Sequence, residues 1–347
     1  MDNRIELLLV EFIEHAEDVF CHDRAPRIIL RDVGNPLESY RQKELIQRFR
    51  FGRDIIQNIL LPLVYPRDVA TTNRGLPIPP IIKLCTALRF YASGSYQRIC
   101  GDLAHISQTS TCRIINEVSE LLARNIGKYV NFPSSEAEKT NLRRTFFEIG
   151  GFPEVVGCVD GTHIEIKSPG GANAEIFRNR KGFMSGPTLK IFDIVRRWPG
   201  SAHDSRIFNS SAVAMKFESK LLTGILLGDS AYQQNQFLYS PILNPQTPPE
   251  QRYNIAHVRT RNVVERTFGV WKGRFRCLTG ALQCNIKNVT RIIAATAVLH
   301  NIAQDIGEEI PNNNEIPNEE RIVPVLPAVD RRRGNIIRNA FIQRHFM

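Results

Sequence analysis

The sequence lacks paired cysteines and long apolar runs. Its seven cysteines are scattered along 347 residues, and no two stand in a Cys-x-x-Cys arrangement. This distribution predicts reduced thiols and argues against a disulfide framework or a cysteine zinc site. No run approaches the roughly 18 apolar residues that a membrane span needs. Asp2 and Glu6 interrupt the first residues, which argues against a secretory signal. We therefore expect a protein of the nucleus or cytoplasm without a membrane partner.

Acidic residues are scarcer than basic ones. Asp and Glu total 35 and Lys and Arg total 45, which gives a formal net charge of +10. Such an excess favours a polyanionic partner. Between Arg259 and Arg276, six basic residues surround a single acid, Glu265. This stretch suits phosphate binding beside a metal ligand. A solvated helix face with an intrahelical ion pair would have the same composition.

Three acidic residues stand in settings unlike those of the other carboxylates. Asp160 closes an apolar, β-branched run and precedes Gly161, whereas Asp229 ends the run Ile225–Gly228. Glu265 lies inside a helical pattern instead. Two acids at strand ends and one on a helix can converge on a pair of divalent cations, because Mg²⁺ and Mn²⁺ prefer oxygen ligands. Two such ions clamp the attacking and leaving oxygens of a phosphodiester.

Several long strings extend this pattern. They run in one order from Val155 to Ile302 and read GCVDGTHIEIKSP, NRKGF, RWPGSAHDSRIF, LLGDSAY, YNIAHVRTRNVVERTFGVWKGRFRCL and ATAVLHNI. Together they resemble the PIF/Harbinger class of DDE transposases, including the domesticated Harbinger transposase-derived nucleases. The resemblance implies a ribonuclease-H-like fold in which Asp160, Asp229 and Glu265 form the catalytic triad and bind Mg²⁺ or Mn²⁺. It also implies DNA as substrate, a Myb/SANT-like partner protein, and a nuclear location.

The length and the changing pattern along the chain predict two domains and a tail. Residues 1–150 form a helical N-terminal region, and Gly150-Gly151 marks the boundary. Residues 151–306 form an α/β domain of the DDE nuclease or transposase type, with strands predicted at 155–166, 189–195 and 225–228. Residues 307–347 are rich in Pro, Asn and Glu, which predicts a mobile polar tail with a short terminal helix near 335–343.

A helix-turn-helix is predicted near residues 95–124. A short helix over 95–104 and a longer one over 108–124 are separated by the turn His105–Ser107, which is helix-turn-helix spacing. Ser107 is a suitable N-cap. The first turns of the second helix would then present four residues to base edges: Gln108, Thr109, Ser110 and Arg113. An ordinary helical hairpin with a polar outer face is the alternative interpretation.

The segment after NRKGF departs from the family pattern. Residues 183–187 lead almost directly into the strand predicted at 189–195, so the second strand of the expected three-stranded meander is missing from the sequence. We therefore predict a mixed sheet with flanking helices that lacks one strand. Its loss would leave backbone groups unpaired beside the strand of Asp160.

Each candidate ligand also has a competing interpretation. Asp193 and Asp204 are alternatives to Asp229 for the second acid of the triad. Asp229 is favoured because it has the strand-end position that α/β sites use. A helix is predicted near 260–275, with an apolar stripe at Val264, Phe268, Trp271 and Phe275. Glu265 lies one position off this stripe, which suits a ligand at the rim. An ion pair with Arg261 or Arg266 is its alternative role. Arg266 and Lys272 are the candidate phosphate contacts in the basic stretch.

These observations predict a metal-dependent endonuclease, derived from a transposase, that hydrolyses DNA phosphodiester bonds. The alternative is a catalytically inactive domesticated transposase that acts as a DNA-binding or adaptor protein. Homo-oligomeric assembly is compatible with either interpretation.

Overall fold

The computed structural model describes residues 34–66, 78–102, 105–167, 180–195, 204–308 and 332–347. From Asn35 onward these residues pack as one compact unit. Within these ranges, no helix is both long and apolar enough to cross a membrane. The predicted division at residue 150 stays a prediction.

Every element described before residue 151 is a helix. They are α1 Pro36–Ser39, α2 Gln42–Phe49, α3 Arg53–Ile55, a π-helical turn Ile56–Leu60, α4 Leu61–Val64, α5 Pro80–Ser93, α6 Gln97–Asp102, α7 Gln108–Ala123, α8 Ile126–Tyr129 and α9 Glu136–Gly150. Ser107 caps α7 as predicted, because its hydroxyl accepts a hydrogen bond from the Ser110 amide at 3.2 Å. The helix bounds fit helix-turn-helix spacing, whereas the binding of DNA by α7 stays a prediction.

Five strands form one mixed sheet in the order β3-β2-β1-β4-β5. The strands are β1 Val155–His163, β2 Arg180–Ser185, β3 Ile191–Ile194, β4 Ile225–Leu227 and β5 Leu238–Tyr239. β1, β2 and β3 form an antiparallel meander, and β4 and β5 extend it in parallel with β1. A mixed five-stranded sheet with flanking helices fits the ribonuclease-H-like expectation.

The prediction of a missing strand is wrong. β2 is built from the end of NRKGF itself and pairs with β1 from Cys158↔Ser185 to His163↔Arg180. A tight turn then leads into β3: the Gly186 amide donates to the Lys190 carbonyl at 2.8 Å, and Leu189 has a φ of 60°. The strand of Asp160 is therefore paired on both sides, by β2 and by β4.

Side chains of a later helix hold the short edge strand β3. This helix is α13, Ile286–Asp305. The Asn301 amide oxygen accepts from the Ile191 amide at 2.9 Å, and its nitrogen donates to the Ile191 carbonyl at 2.7 Å. His300 shares a 2.7 Å hydrogen bond with the Leu189 carbonyl, and burial lowers the pKa of His300 to about 4. The string containing His300 and Asn301 therefore fixes the turn that makes a short meander possible.

The two faces of the sheet are covered by different helices. A bulge around Val156 shifts the alternation of side chains between the two faces of β1. Val156 and Val159 therefore lie on the same face, in one apolar cluster with Met184, Phe208 and Phe217. The last two belong to α10 Asp204–Asn209 and α11 Ala212–Glu218. The opposite face carries Asp160, because side chains alternate along the strand after the bulge.

The long helix α12, Pro248–Arg274, covers that opposite face. It begins twelve residues before the predicted 260–275 helix, because Thr247 and Glu250 form a capping box that encloses two prolines. The predicted apolar stripe is confirmed: Val264, Trp271 and Phe275 are 0 % exposed and Phe268 is 8 % exposed. A 3₁₀ turn, Arg276–Leu278, follows the helix.

The chain ends in a packed helix, α14 Arg332–His345. Phe341 stacks on Phe152 with ring centroids 5.6 Å apart, and the Arg252 side chain donates to the Phe346 carbonyl at 2.9 Å. The predicted terminal helix therefore lies against the start of β1 and the first turns of α12. Residues 309–331 of the predicted mobile tail lie outside the described part of the chain.

Candidate active site

Asp160 lies near the end of the central strand β1, with 5 % of the residue exposed. Its Oδ1 accepts a hydrogen bond from the Gly161 amide at 2.8 Å. Its Oδ2 accepts one from Nη1 of Arg261, on α12, at 3.3 Å. Asp160 is therefore a buried carboxylate directed at the helix that covers its face of the sheet.

Asp229 follows β4, the strand that pairs in parallel with β1. Its Oδ1 accepts a hydrogen bond from the Ala231 amide at 2.9 Å, a short-range turn that fixes the carboxylate just beyond the strand. The residue is half-buried. Parallel neighbours end at the same edge of a sheet, so Asp229 and Asp160 belong to one end of the molecule.

Glu265 projects from the rim of α12 as predicted, and its side chain is 54 % exposed. Arg261 precedes it by one helical turn, and Nη2 of Arg261 donates a hydrogen bond to Oε1 of Glu265. The predicted alternative, an ion pair with Arg261, is thus present in the structure. The same guanidinium also reaches Asp160, 101 residues away in the sequence.

Arg261 joins two of the three acids. Its side chain is 17 % exposed and binds Asp160 and Glu265 directly. Burial lowers the pKa of Arg261, but the charges of Asp160, Glu265 and Asp229 more than offset this effect, so the net shift is upward. The fold therefore brings Asp160 and Glu265 to one guanidinium, with Asp229 as a neighbouring charge.

Strand register separates Asp193 from this group. Asp193 on β3 pairs with Met184 on β2, and Met184 pairs with Val159 on β1. Residues paired across a ladder share a face, so Asp193 lies on the face of Val159, opposite to that of Asp160. A small cleft adjoins it there and is lined by Val159, Met184, Phe208 and other side chains. Asp204 begins α10, which also packs on that face through Phe208.

The donor chemistry fits a hard divalent cation, since three carboxylates supply only oxygen. Among the residues that the structure describes, however, no group of three or more His, Cys, Asp or Glu side chains is close enough to hold a metal ion. Arg261 occupies the space between two of the three carboxylates. The assignment of Asp160, Asp229 and Glu265 as metal ligands stays a prediction.

The predicted DNA contacts lie on two helices. On α7, Gln108, Thr109 and Arg113 are exposed and Ser110 is half-buried. On α12, Arg266 is exposed and Lys272 is half-buried. Their contact with DNA is untested.

Two arginines of the basic stretch bind other parts of the protein. Arg274 is 0 % exposed and donates to the Arg50 carbonyl at 3.4 Å, while Arg50 donates to the Arg274 carbonyl at 3.0 Å. This reciprocal contact joins the end of α12 to the end of α2. The half-buried Arg261 is the other one. Composition alone therefore overestimates the exposed positive charge of this stretch.

The role of Arg261 in joining helix to strand was missed by sequence reasoning. The spacing of four residues before Glu265 signals the helical ion pair. The bond to Asp160 has no local signal, because it depends on how α12 docks on β1. Cys158, two residues before Asp160, also joins β1 to α12, since its thiol contacts the Thr260 carbonyl at 3.7 Å.

Comparison with known proteins identifies the family of the chain. The family described as DDE superfamily endonuclease matches residues 159–301. The protein named Putative nuclease HARBI1 in Homo sapiens is 36% identical over 287 residues, which cover 79% of this chain and 81% of the relative. Its namesake in Xenopus laevis is 32% identical over 322 residues, which cover 88% and 92%.

A plant protein is more distantly similar. Protein ALP1-like of Arabidopsis thaliana is 24% identical over 268 residues, covering 70% of this chain and 65% of the relative. No solved structure shows a significant match. The long similarity to the HARBI1 proteins and the endonuclease match confirm the resemblance seen in the motifs. The chain therefore belongs to the DDE endonuclease superfamily and, within it, to the family of Harbinger transposase-derived nucleases that includes the HARBI1 proteins.

Proposed function

We propose that the chain is a divalent-metal-dependent endonuclease that hydrolyses DNA phosphodiester bonds at Asp160, Asp229 and Glu265. The observation that carries the proposal is that Asp160 of β1 and Glu265 of α12 bind one guanidinium, while Asp229 follows the parallel strand next to β1. A cluster of three carboxylates around one guanidinium leaves a net negative charge. Partly buried negative charge of this kind is what attracts Mg²⁺ or Mn²⁺.

The three acids would act as ligands and not as nucleophiles. When bound, a pair of such ions supplies Lewis-acid stabilisation of the attacking and leaving oxygens of a phosphodiester. Asp160 would provide the most rigid ligand, because it lies in a central strand and is held by the Gly161 amide. Glu265, at the exposed rim of α12, would be the most mobile of the three.

DNA would be held at two places. The first turns of α7 would meet base edges through Gln108, Thr109, Ser110 and Arg113, as a recognition helix does. Arg266 and Lys272 on α12 would bind phosphates near the site. A nuclear location, a Myb/SANT-like partner and homo-oligomeric assembly belong to the same proposal, since each follows from the family resemblance and from DNA as substrate.

The purified chain should cleave plasmid DNA with Mn²⁺ present and fail to cleave it with EDTA. Mn²⁺ should also raise the melting temperature, because a ligand that binds only the folded state stabilises it by about 2.7 kcal/mol at a hundredfold excess over Kd. Glu265→Gln should remove this stabilisation. Calorimetry with and without Mn²⁺ measures it.

The matched control is Glu218→Gln, which alters an exposed glutamate at the end of α11. It should respond to Mn²⁺ as the wild type does. If Mn²⁺ neither stabilises the wild type nor supports cleavage, the proposal fails and an adaptor without catalysis takes its place.

Mutations in the two proposed DNA-binding helices, α7 and α12, should change DNA affinity in different ways. Arg113→Ala should cost about 1–3 kcal/mol for the preferred sequence and relax discrimination, if Arg113 reads a base. Arg266→Ala and Lys272→Ala should each weaken binding to all sequences alike and reduce the slope of log K against log salt by about one, if they bind phosphates. Fluorescence anisotropy on two DNA sequences over a salt series measures both effects.

Arg144→Ala serves as the control for loss of positive charge, because Arg144 is exposed on α9 and belongs to neither set. Equal slopes in the wild type and all four variants would show that neither Arg266 nor Lys272 contacts phosphate.

A further inference from the structure

Arg261 makes an unusual set of contacts for an arginine beside a metal site. Its Nη1 binds Oδ2 of Asp160 and its Nη2 binds Oε1 of Glu265. Each carboxylate is bound through a single oxygen, so the guanidinium bridges two acids and does not form the two-point contact with one acid that is typical of a structural pair. The side chain is 17 % exposed.

The charge of this guanidinium acts on both acids that it binds. An arginine cannot be deprotonated in proteins, so it remains a cation in this position. Its bonds to Asp160 and Glu265 offset repulsion between carboxylates in a partly buried site. The nearby charge of Asp229 favours the cation as well.

The same two oxygens would be needed by a metal ion. A divalent cation binds carboxylate oxygens at about 2.0–2.2 Å, closer than the guanidinium nitrogens do. With Nη1 and Nη2 in place, the ion would lie next to a fixed positive charge. The lack of a ready three-residue metal cluster among the described residues agrees with this exclusion.

We propose that Arg261 is the built-in counter-cation of the metal-free site, and that a divalent metal ion must displace it from Asp160 and Glu265 in order to bind. This inference rests on the proposed function and adds that Arg261 and the metal ion compete for the same two carboxylates. Arg261 stabilises the empty site against carboxylate repulsion and, by the same contacts, weakens the affinity for metal. The chain would thereby hold the acids in place before metal arrives.

The competition predicts that removal of Arg261 tightens metal binding. Arg261→Gln should lower the Kd for Mn²⁺ about tenfold, within the range typical of coupling between two ligands of one protein. Without Mn²⁺ it should melt at a lower temperature than the wild type, and Mn²⁺ should raise its melting temperature by a larger amount. Loss of the free Mn²⁺ signal in electron paramagnetic resonance measures binding independently of DNA cleavage.

Two further variants make the test specific. Arg259→Gln removes the same charge from an exposed position on the same helix, so its change in Kd measures the long-range effect alone. Arg261→Lys keeps the charge but loses the planar fork that spans two acids, and should bind Mn²⁺ with an affinity between those of the wild type and Arg261→Gln. It also replaces the glutamine variant if that protein does not fold.

The outcomes separate the inference from the proposed function. If the wild type binds Mn²⁺ and Arg261→Gln binds it no more tightly than Arg259→Gln, Arg261 stays in place with metal bound and the competition is overturned. If Arg261→Gln binds Mn²⁺ and the wild type does not, the competition is supported in its strongest form. If none of the four proteins binds Mn²⁺ or Mg²⁺, the proposed function itself fails.

Discussion

Asp160→Asn is expected to reduce Mn²⁺-dependent cleavage of DNA about 10³-fold. A neutral amide is a poor ligand for a hard cation, and Asp160 is the most buried of the three acids, at 5 % exposure. Loss of about 4 kcal/mol of transition-state stabilisation corresponds to a factor of this size. Single-turnover cleavage of a defined duplex measures it.

Asp193→Asn is the matched control for this prediction. It makes the same chemical change on the same sheet, but Asp193 lies on the opposite face by its pairing with Met184. Its cleavage rate should stay within about twofold of the wild type, because the change leaves the face that carries Asp160 intact. Since Asp193 is half-buried and Asp160 binds the half-buried Arg261, melting temperatures must show that both variants are folded. Unchanged cleavage in Asp160→Asn would assign the activity to a contaminant.

Phe183→Ala is expected to lower the free energy of unfolding by about 3–5 kcal/mol. Phe183 is 2 % exposed and pairs directly with Asp160 across the β1–β2 ladder. Its ring packs edge-on against Trp271 and Phe268 of α12, with centroids 5.1 and 5.5 Å apart. The alanine would leave a cavity between the sheet and the helix that carries Arg261 and Glu265. Urea unfolding followed by tryptophan fluorescence measures the loss.

Phe147→Ala provides the comparison, because Phe147 is 54 % exposed on α9. Its effect should remain within about 0.5 kcal/mol. Should the two variants be equally stable, α12 would not depend on this aromatic contact, and the account of how the sheet positions Glu265 would be wrong.

The positions of the three acids in the fold could be predicted because their sequence signals are local. Asp160 and Asp229 end apolar runs, and strand ends are where α/β sites lie. Glu265 could be placed at a rim because the apolar stripe of α12 repeats with helical spacing. The capping box of Thr247 and Glu250 was also readable, and using it would have placed the start of the helix correctly.

The meander of β1, β2 and β3 could not be predicted from local sequence signals. β2 begins Arg180-Lys-Gly, which has none of the β-branched or aromatic residues that favour strands, and Leu189 turns the chain in a backbone region that non-glycine residues seldom adopt. That turn and strand β3 are held by His300 and Asn301, more than 100 residues later. A strand stabilised by distant side chains carries no signal of its own, and the same holds for the contact of Arg261 with Asp160.

The central position of β1 determines how the site comes apart. β4 pairs with β1 from Val155 to Cys158 and β2 pairs with it from Cys158 to His163, so the two neighbours overlap only at Cys158. The backbone around Asp160 therefore depends on β2, which is held in turn by β3 and by the turn that His300 contacts. Hydrogen exchange around Asp160 should then follow the opening of β2 from β1, which is a smaller event than the opening of the whole sheet.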